Sequence, residues 1–245
     1  MIILQDKNIL VTGASQGIGR EIAITASKLG ANVTVVGRNV EKLQETISLL
    51  TGNNHKMFAV DLAVTEDLDK LILQSSAFDG VVFNAGIVEY LPVKFLSESK
   101  INAVFSINFD SNVLLSQKLV KKKLLNKKAS LVFISSISSK LGVGGTAMYA
   151  ASKAALVSFS KVLATELAPQ GIRSNSICPG IIKTAMTEQA NDIASEEEVK
   201  KAESEYPLGY GEPADVAGLT MYLLSDISKW MTGSDLIIDG GFTLK

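Results

Sequence analysis

Tyr149 and Lys153 stand four residues apart in the Ala-rich run Ala147-Met148-Tyr149-Ala150-Ala151-Ser152-Lys153. In a helix that spacing puts the phenol and the ammonium on one face, about one turn apart. A cation fixed beside a phenol favours the phenolate, so Lys153 is expected to pull the Tyr149 pKa below its free value of about 10. A phenol tuned in this way is a general acid or base. Upstream, the apolar run Leu131-Val132-Phe133-Ile134 ends in Ser135-Ser136, and either hydroxyl could hold a substrate oxygen against the phenol. A Gly-rich loop at 142–145 separates the two segments.

Elements that alternate between strand and helix must position these groups. Strands are expected over 7–12, 32–36, 56–60, 80–83, 131–134, 172–177 and 236–238. Between them the 3.6-residue pattern predicts helices over 17–29, 40–50, from a Thr65 cap, over 99–125, from the Tyr149 region to Ala168, and over 213–224. Strict alternation argues for an α/β fold: a Rossmann-like, doubly wound parallel sheet of about seven strands with helices on both faces. No repeat, linker or charge block divides the chain, so residues 1–245 read as a single domain. The polar segment at about 184–207 reads as a substrate lid, and acids dominate it: Glu188, Asp192, Glu196, Glu197, Glu198, Glu203 and Glu205 against Lys200 and Lys201.

The run Thr12-Gly13-Ala14-Ser15-Gln16-Gly17-Ile18-Gly19 follows a strand and opens a helix. Glycines there allow a tight turn and close backbone approach to a pyrophosphate, and the helix N-terminus offers N–H donors. Gly13, Ser15, Gln16, Gly17, Ile18 and Gly19 are therefore candidate cofactor contacts. The second strand ends in Val36-Gly37-Arg38-Asn39. An acid at its end would take the ribose 2′-hydroxyl and repel a 2′-phosphate, whereas Arg38 can clasp that phosphate, which predicts NADP(H) over NAD(H). Asp61 and Leu62 could meet the adenine, and Asn84-Ala85-Gly86 offers a small backbone edge along which the cofactor passes.

The chain has 245 residues, 47% of them hydrophobic, with a net charge of −1. That balance gives no electrostatic reason to expect a nucleic acid or an anionic membrane partner. The lysines at 121–123 and 127–128 read as the basic end of a helix and a solvated turn, with a docking patch for an acidic carrier protein as the alternative. Cys178 reads as a buried strand-end thiol, and His55 has no partner that would make a metal site. Glu89 and Glu166 read as solvated. With no signal-like start and no apolar run of about 20 residues, a cytoplasmic protein is expected.

Taken together, these residues resemble the short-chain dehydrogenase/reductase family in its single-domain branch. The match runs from the Gly13–Gly19 loop through Asp61, Asn84-Ala85-Gly86, Asn108, Ser136, Tyr149 and Lys153 to Pro179-Gly180, Thr184 and Asp239-Gly240-Gly241. Ser136 is the matching serine because it lies thirteen residues before Tyr149. The resemblance implies that Tyr149 is the general acid/base and that Lys153 tunes it and holds the nicotinamide ribose. Ser136 would hold the carbonyl oxygen and Asn108 would position a relay water. It also implies cofactor contacts from Pro179, Gly180, Ile182 and Thr184, and a homotetramer built on the helices at 99–125 and 148–168 and the C-terminal strand. The overall look is similar to bacterial 3-oxoacyl-carrier-protein reductases. The implied activity is reduction of a small-molecule carbonyl, a ketone or β-ketoacyl group, to an alcohol. One alternative is reduction on acyl-carrier protein specifically, and another is a non-catalytic NADP-binding regulator. Gln16 departs from NADP-preferring relatives, many of which carry a basic residue there.

If Arg38 selects the cofactor, Arg38→Asp should reverse the order of NADPH and NADH affinities in a fluorescence titration. An unchanged order would remove the argument.

Overall fold

The computed structural model describes residues 2–187 and 195–244. Seven parallel strands form one sheet in the order β3-β2-β1-β4-β5-β6-β7. They are β1 (Asn8–Thr12), β2 (Asn32–Gly37), β3 (Lys56–Ala59), β4 (Phe78–Phe83), β5 (Leu125–Ile134), β6 (Arg173–Pro179) and β7 (Asp235–Ile238). The helices are α1 (Gly17–Lys28), α2 (Val40–Ser48), α3 (Thr65–Leu73), α4 (Glu98–Phe105), α5 (Ser111–Lys121), α6 (Ala147–Leu167), α7 (Glu196–Ser204) and α8 (Pro213–Leu224).

Alternation along the strands explains why both faces must be covered. Ile9, Val11, Val33, Val35, Val82, Val132 and Ile134 join one apolar core with Ile22, Val216 and Met221 of α1 and α8. Their neighbours Leu10, Val36, Val81, Leu131 and Phe133 join a second core with Leu68, Leu115 and Leu156 of α3, α5 and α6. A strand buried on both sides reads as a continuous apolar run, as Leu131-Val132-Phe133-Ile134 does. No helix among the described residues is long and apolar enough to cross a membrane.

Three predicted boundaries shift. The helix expected over 99–125 is α4, a π-helical segment at Ser106–Asp110, and α5, which ends at Lys121. Side chains satisfy carbonyls of the widened turn: Ser111 Oγ donates to Ile107 O (2.7 Å) and Asn112 Nδ2 to Asn108 O (2.8 Å). α5 stops because Lys123 takes a left-handed φ of 56°, letting Lys123 N reach Val120 O and Leu124 N reach Leu119 O. That is a Schellman closure with lysine where glycine is usual. β5 then begins at Leu125 rather than 131: Leu125 already pairs with Phe78, and Lys128 (φ 66°) sits in the irregularity between that pair and Gly80–Ser130. Finally, Val64, not Thr65, caps α3, and Asp67 Oδ2 at its first turn accepts from Asp61 N (3.0 Å).

Phe133 stacks on Phe83 (centroids 4.3 Å, 3° between planes) and meets Phe159 edge-on (6.0 Å). Phe133→Ala should cost about 3–5 kcal/mol in chemical denaturation. A loss under about 1 kcal/mol would mean that this stack does not hold β4, β5 and α6 together.

Candidate active site

Chain order reverses at β1, which pairs with β2 on one side and β4 on the other. The crevice beyond the C-terminal ends of such strands is where open α/β sheets take ligands. The loop after β1 fills it. Gly13 and Gly17 have positive φ (64° and 57°). A Cβ on Gly19 would lie 2.3 Å from Gly13 O, so only glycine lets α1 start this close to the turn. Thr12 Oγ1 accepts from Asn84 N (3.0 Å) and Ala85 N (3.1 Å), and Asn84 Nδ2 donates to Thr12 O and Gly13 O (3.1 Å each). Asn84 therefore stitches the two strand ends together. Gln16 is the N-cap of α1 but makes no side-chain cap, and no acid stands in the first turn. The first N–H groups of a twelve-residue helix thus point into the crevice without a side-chain partner. This donor set fits the pyrophosphate of a dinucleotide. Ile18 packs its side chain against the core and contributes backbone only.

Arg38 follows β2, with a 65% exposed side chain and Nη1 3.9 Å from Asp61 Oδ2. Asn39 caps α2 by accepting from Lys42 N (2.7 Å). The Lys42 ammonium crosses to the glycine loop and donates to Gln16 Oε1 (2.7 Å). Arg20 ties the same region together, donating to Ser15 O (2.5 Å), Thr46 Oγ1 (3.1 Å) and Glu45 Oε2 (2.9 Å). Leu62, expected against an adenine, lies instead in the core beneath the loop, 7% exposed. Val60-Asp61-Leu62 continues strand alternation past β3, so Leu62 turns inward and Asp61 outward.

At the end of β5 the two serines separate by the same alternation. Ser135 Oγ donates to Lys153 O (2.9 Å) and braces α6. Ser136 Oγ accepts from Ser138 N (3.1 Å) and lies near enough to the Tyr149 phenol to act on its pKa. Tyr149 is half-buried, and Lys153 is buried with Nζ donating to Ile134 O (2.8 Å). Asn108, fully buried in the π-helical segment, accepts from Ile87 N (2.8 Å) and donates to Ile87 O (2.9 Å) and Ser152 Oγ (3.1 Å). A Cβ on Gly86 would stand 3.2 Å from Lys153 Nζ and 3.3 Å from Asn108 Oδ1, so these two groups face the same small space.

The electrostatics differ from the sequence expectation. Burial pushes the Tyr149 phenol up from its ordinary value, and the Ser136 hydroxyl opposes this. The cation does not pull it down, because Lys153 Nζ lies under the ring, 5.7 Å from its centroid, and donates to a carbonyl. Burial lowers Lys153 itself from 10.5 to about 8. The ion-pair logic of an i, i+4 spacing missed that both groups are desolvated.

On the far side, Pro179 ends β6 and Gly180 N donates to Ile238 O (2.9 Å). A Cβ on Gly180 would meet Tyr206 at 2.9 Å and Asp239 at 3.0 Å, which makes this glycine a packing requirement. Ile182 is buried and pairs with Gly211, closing the base of the proposed lid, and Lys183 lies 3.5 Å from Glu203 and 3.7 Å from Glu212. Thr184 reaches the glycine loop: a Cβ on Gly17 would lie 3.2 Å from its Cγ2. Within the lid, α7 starts from a Ser195/Glu198 capping box, while Glu188 and Asp192 lie outside the described residues. Glu89, read as solvated, pairs with Lys100. Cys178 is buried and its thiol is pushed up by burial. Among the described residues no cluster of His, Cys, Asp and Glu could hold a metal. Sequence reasoning missed Ser152, Arg20 and Lys42. Ser152, one residue before Lys153, carries no motif signal, and the other two act through tertiary contacts.

Comparison with known proteins gives a consistent picture. The family model described as enoyl-(acyl carrier protein) reductase matches residues 13–243. The chain is 37% identical to the 3-oxoacyl-[acyl-carrier-protein] reductase of Rickettsia conorii over the whole of both chains. It is 35% identical to L-xylulose reductase of Caenorhabditis elegans, covering 97% of this chain and 96% of that one. A solved short-chain dehydrogenase/reductase, described as glucose/ribitol dehydrogenase, from Brucella melitensis superposes with a TM-score of 0.92 at 28% identity, covering 99% of each chain.

The depressed Lys153 has a stability signature. Between about 8 and 10.5 the unfolded lysine holds a proton that the folded one has released, so folded-state stability should rise with pH through that window. The unfolding free energy of wild type relative to Lys153→Met should therefore climb across it. A flat difference would show that the ammonium is not desolvated.

Proposed function

Because this chain belongs to the short-chain dehydrogenase/reductase family, we propose that it is an NADP(H)-dependent oxidoreductase that reduces a carbonyl to an alcohol, with Tyr149 as general acid. The observation that carries this is the convergence of Ser136, Tyr149 and Lys153 beyond β5, next to the uncapped N-terminus of α1. Gly13, Ser15, Gln16, Gly17 and Gly19 would hold the pyrophosphate side, and Arg38 and Asp61 the adenosine side. Ala85, Gly86, Pro179, Gly180, Ile182 and Thr184 would border the nicotinamide half. NADPH, when bound, supplies the two electrons of the reduction.

The chain's own residues supply the proton and the geometry. Ser136 holds the carbonyl oxygen and keeps it within reach of the phenol. Burial keeps Tyr149 protonated at neutral pH, so it stands ready to donate to the oxygen as negative charge develops there. Lys153 gives one N–H to Ile134 O and keeps two donors for a ribose hydroxyl. Reprotonation of Tyr149 runs through Lys153 and a water held at Asn108, whose Oδ1 shares the space above Gly86 with the ammonium. Ser152 and the Ile87 backbone fix that amide.

For the substrate, exposed apolar side chains at the mouth (Tyr90, Val143 and Met186) favour an uncharged ketone or β-ketoacyl group. A 3-oxoacyl group on acyl-carrier protein is the second reading. It is favoured by the full-length similarity to the Rickettsia reductase and opposed by the acidic lid, which would repel an acidic carrier. The proposed assembly is a homotetramer in the cytoplasm.

Tyr149→Phe should keep NADPH affinity within about twofold and lower kcat by at least ~10²-fold on whichever member of a carbonyl panel, including a β-ketoacyl thioester, the wild type reduces. Full turnover in that variant would mean that a different group is the acid, and a wild type that binds NADPH but reduces no member of the panel would favour a non-catalytic NADP-binding regulator.

A further inference from the structure

We propose that Lys42, on the first turn of α2, is a second reader of the cofactor's 2′-phosphate and supplies the cation that the glycine loop lacks at Gln16. The proposal rests on the NADP(H) reading above and assigns a residue that the motifs do not contain.

Arg38 is the obvious phosphate ligand, yet its guanidinium stands 3.9 Å from the Asp61 carboxylate. A phosphate docked on Arg38 therefore also meets the field of that acid. Lys42 is different. Among the described residues its ammonium donates to a neutral amide oxygen, Gln16 Oε1, at 2.7 Å. It therefore brings a full positive charge, without a carboxylate partner, to the loop position where a basic side chain would otherwise stand.

Geometry fixes it there. Lys42 N is held by the Asn39 cap (2.7 Å), and Lys42 O accepts from Arg20 Nη2 (3.3 Å) and Thr46 Oγ1 (3.0 Å). Thr46 Oγ1 shares its single proton between that carbonyl and Ala14 O inside the glycine loop (2.9 Å). The backbone that carries the ammonium is thus braced to the loop, through one buried bond from Thr46 to Ala14 and others nearer the surface, and only the flexible stem remains to adjust. Glu45, the nearby acid on α2, is engaged by Arg20 Nη2 at 2.9 Å. An ammonium on a long stem suits a phosphate as a point charge, while Arg38 provides the planar fork. Gln16 acts as the hinge pin that keeps Lys42 over the loop before the cofactor arrives.

The test is binding, measured calorimetrically on the full chain with NADPH, NADH and the fragments adenosine 2′,5′-bisphosphate and 5′-AMP. Lys42→Met should weaken NADPH and the bisphosphate about tenfold while leaving NADH and 5′-AMP within about twofold. The salt dependence of NADPH binding should flatten in the same variant. Lys42→Arg should retain the preference, and Gln16→Lys placed on Lys42→Met should restore it. If Lys42→Met keeps full NADPH affinity while wild type still prefers NADPH, Lys42 is not a reader and the proposal falls with the NADP(H) reading intact. Equal weakening of all four ligands would make Lys42 a brace of the loop and overturn the proposal. Wild type that does not discriminate between the nucleotides would overturn the NADP(H) reading itself.

Discussion

The amide of Asn84, bonded to the carbonyls of Thr12 and Gly13, is the constraint on which the site depends. Parallel strands β1 and β4 lie side by side and pair as far as Val11 and Val82, and beyond that pair the chain leaves them in opposite directions, towards β2 and towards β5. Asn84 and the Thr12 hydroxyl close that gap with four hydrogen bonds in partly buried surroundings. The closure lets Gly19 pack on Gly13 and aims the uncapped start of α1 along the crevice. On one side of it lie the charges after β2, and on the other lie Ser136, Tyr149 and Lys153. Displacing this joint would misplace both halves together.

Burial sets the electrical character of the half that holds Ser136, Tyr149 and Lys153. Lys153 is a cation surrounded by protein, held by one carbonyl and weakened by desolvation, and Tyr149 is a phenol held neutral by the same cause. Each group shifts towards its uncharged form, which moves the two pKa values, nearly equal in water, apart: the phenol rises from its ordinary value and the ammonium falls to about 8. The half beside β2 shows the reverse character, with Arg38, Asp61 and Gln16–Lys42 at the surface.

Much of this was legible in the sequence because it rests on local rules. Alternation of strands and helices, the glycine spacing and the Tyr149–Lys153 interval each survive translation into three dimensions. The parts that were not legible have physical reasons. Lys123 and Lys128 adopt left-handed conformations that are ordinarily signalled by glycine, so the end of α5 and the start of β5 were hidden. Leu62 looked like a ligand contact because strand alternation continues past the last paired residue of β3. The phenol's pKa moved the other way because a one-dimensional interval carries no information on solvent exclusion.

The π-helical turn at Ser106–Asp110 has a meaning beyond the site. It is in effect one residue inserted into a continuous helix, and one residue is about 100° of rotation. The stripe that α4 turns inward is therefore out of phase with the stripe of α5. A single helical wheel drawn across both would blur its apolar face. The inserted residue works as a phase shifter, setting the buried direction of Leu115 and Leu119 independently of Val104. At the point of slippage, and because of it, an asparagine rather than a leucine is the side chain turned into the protein.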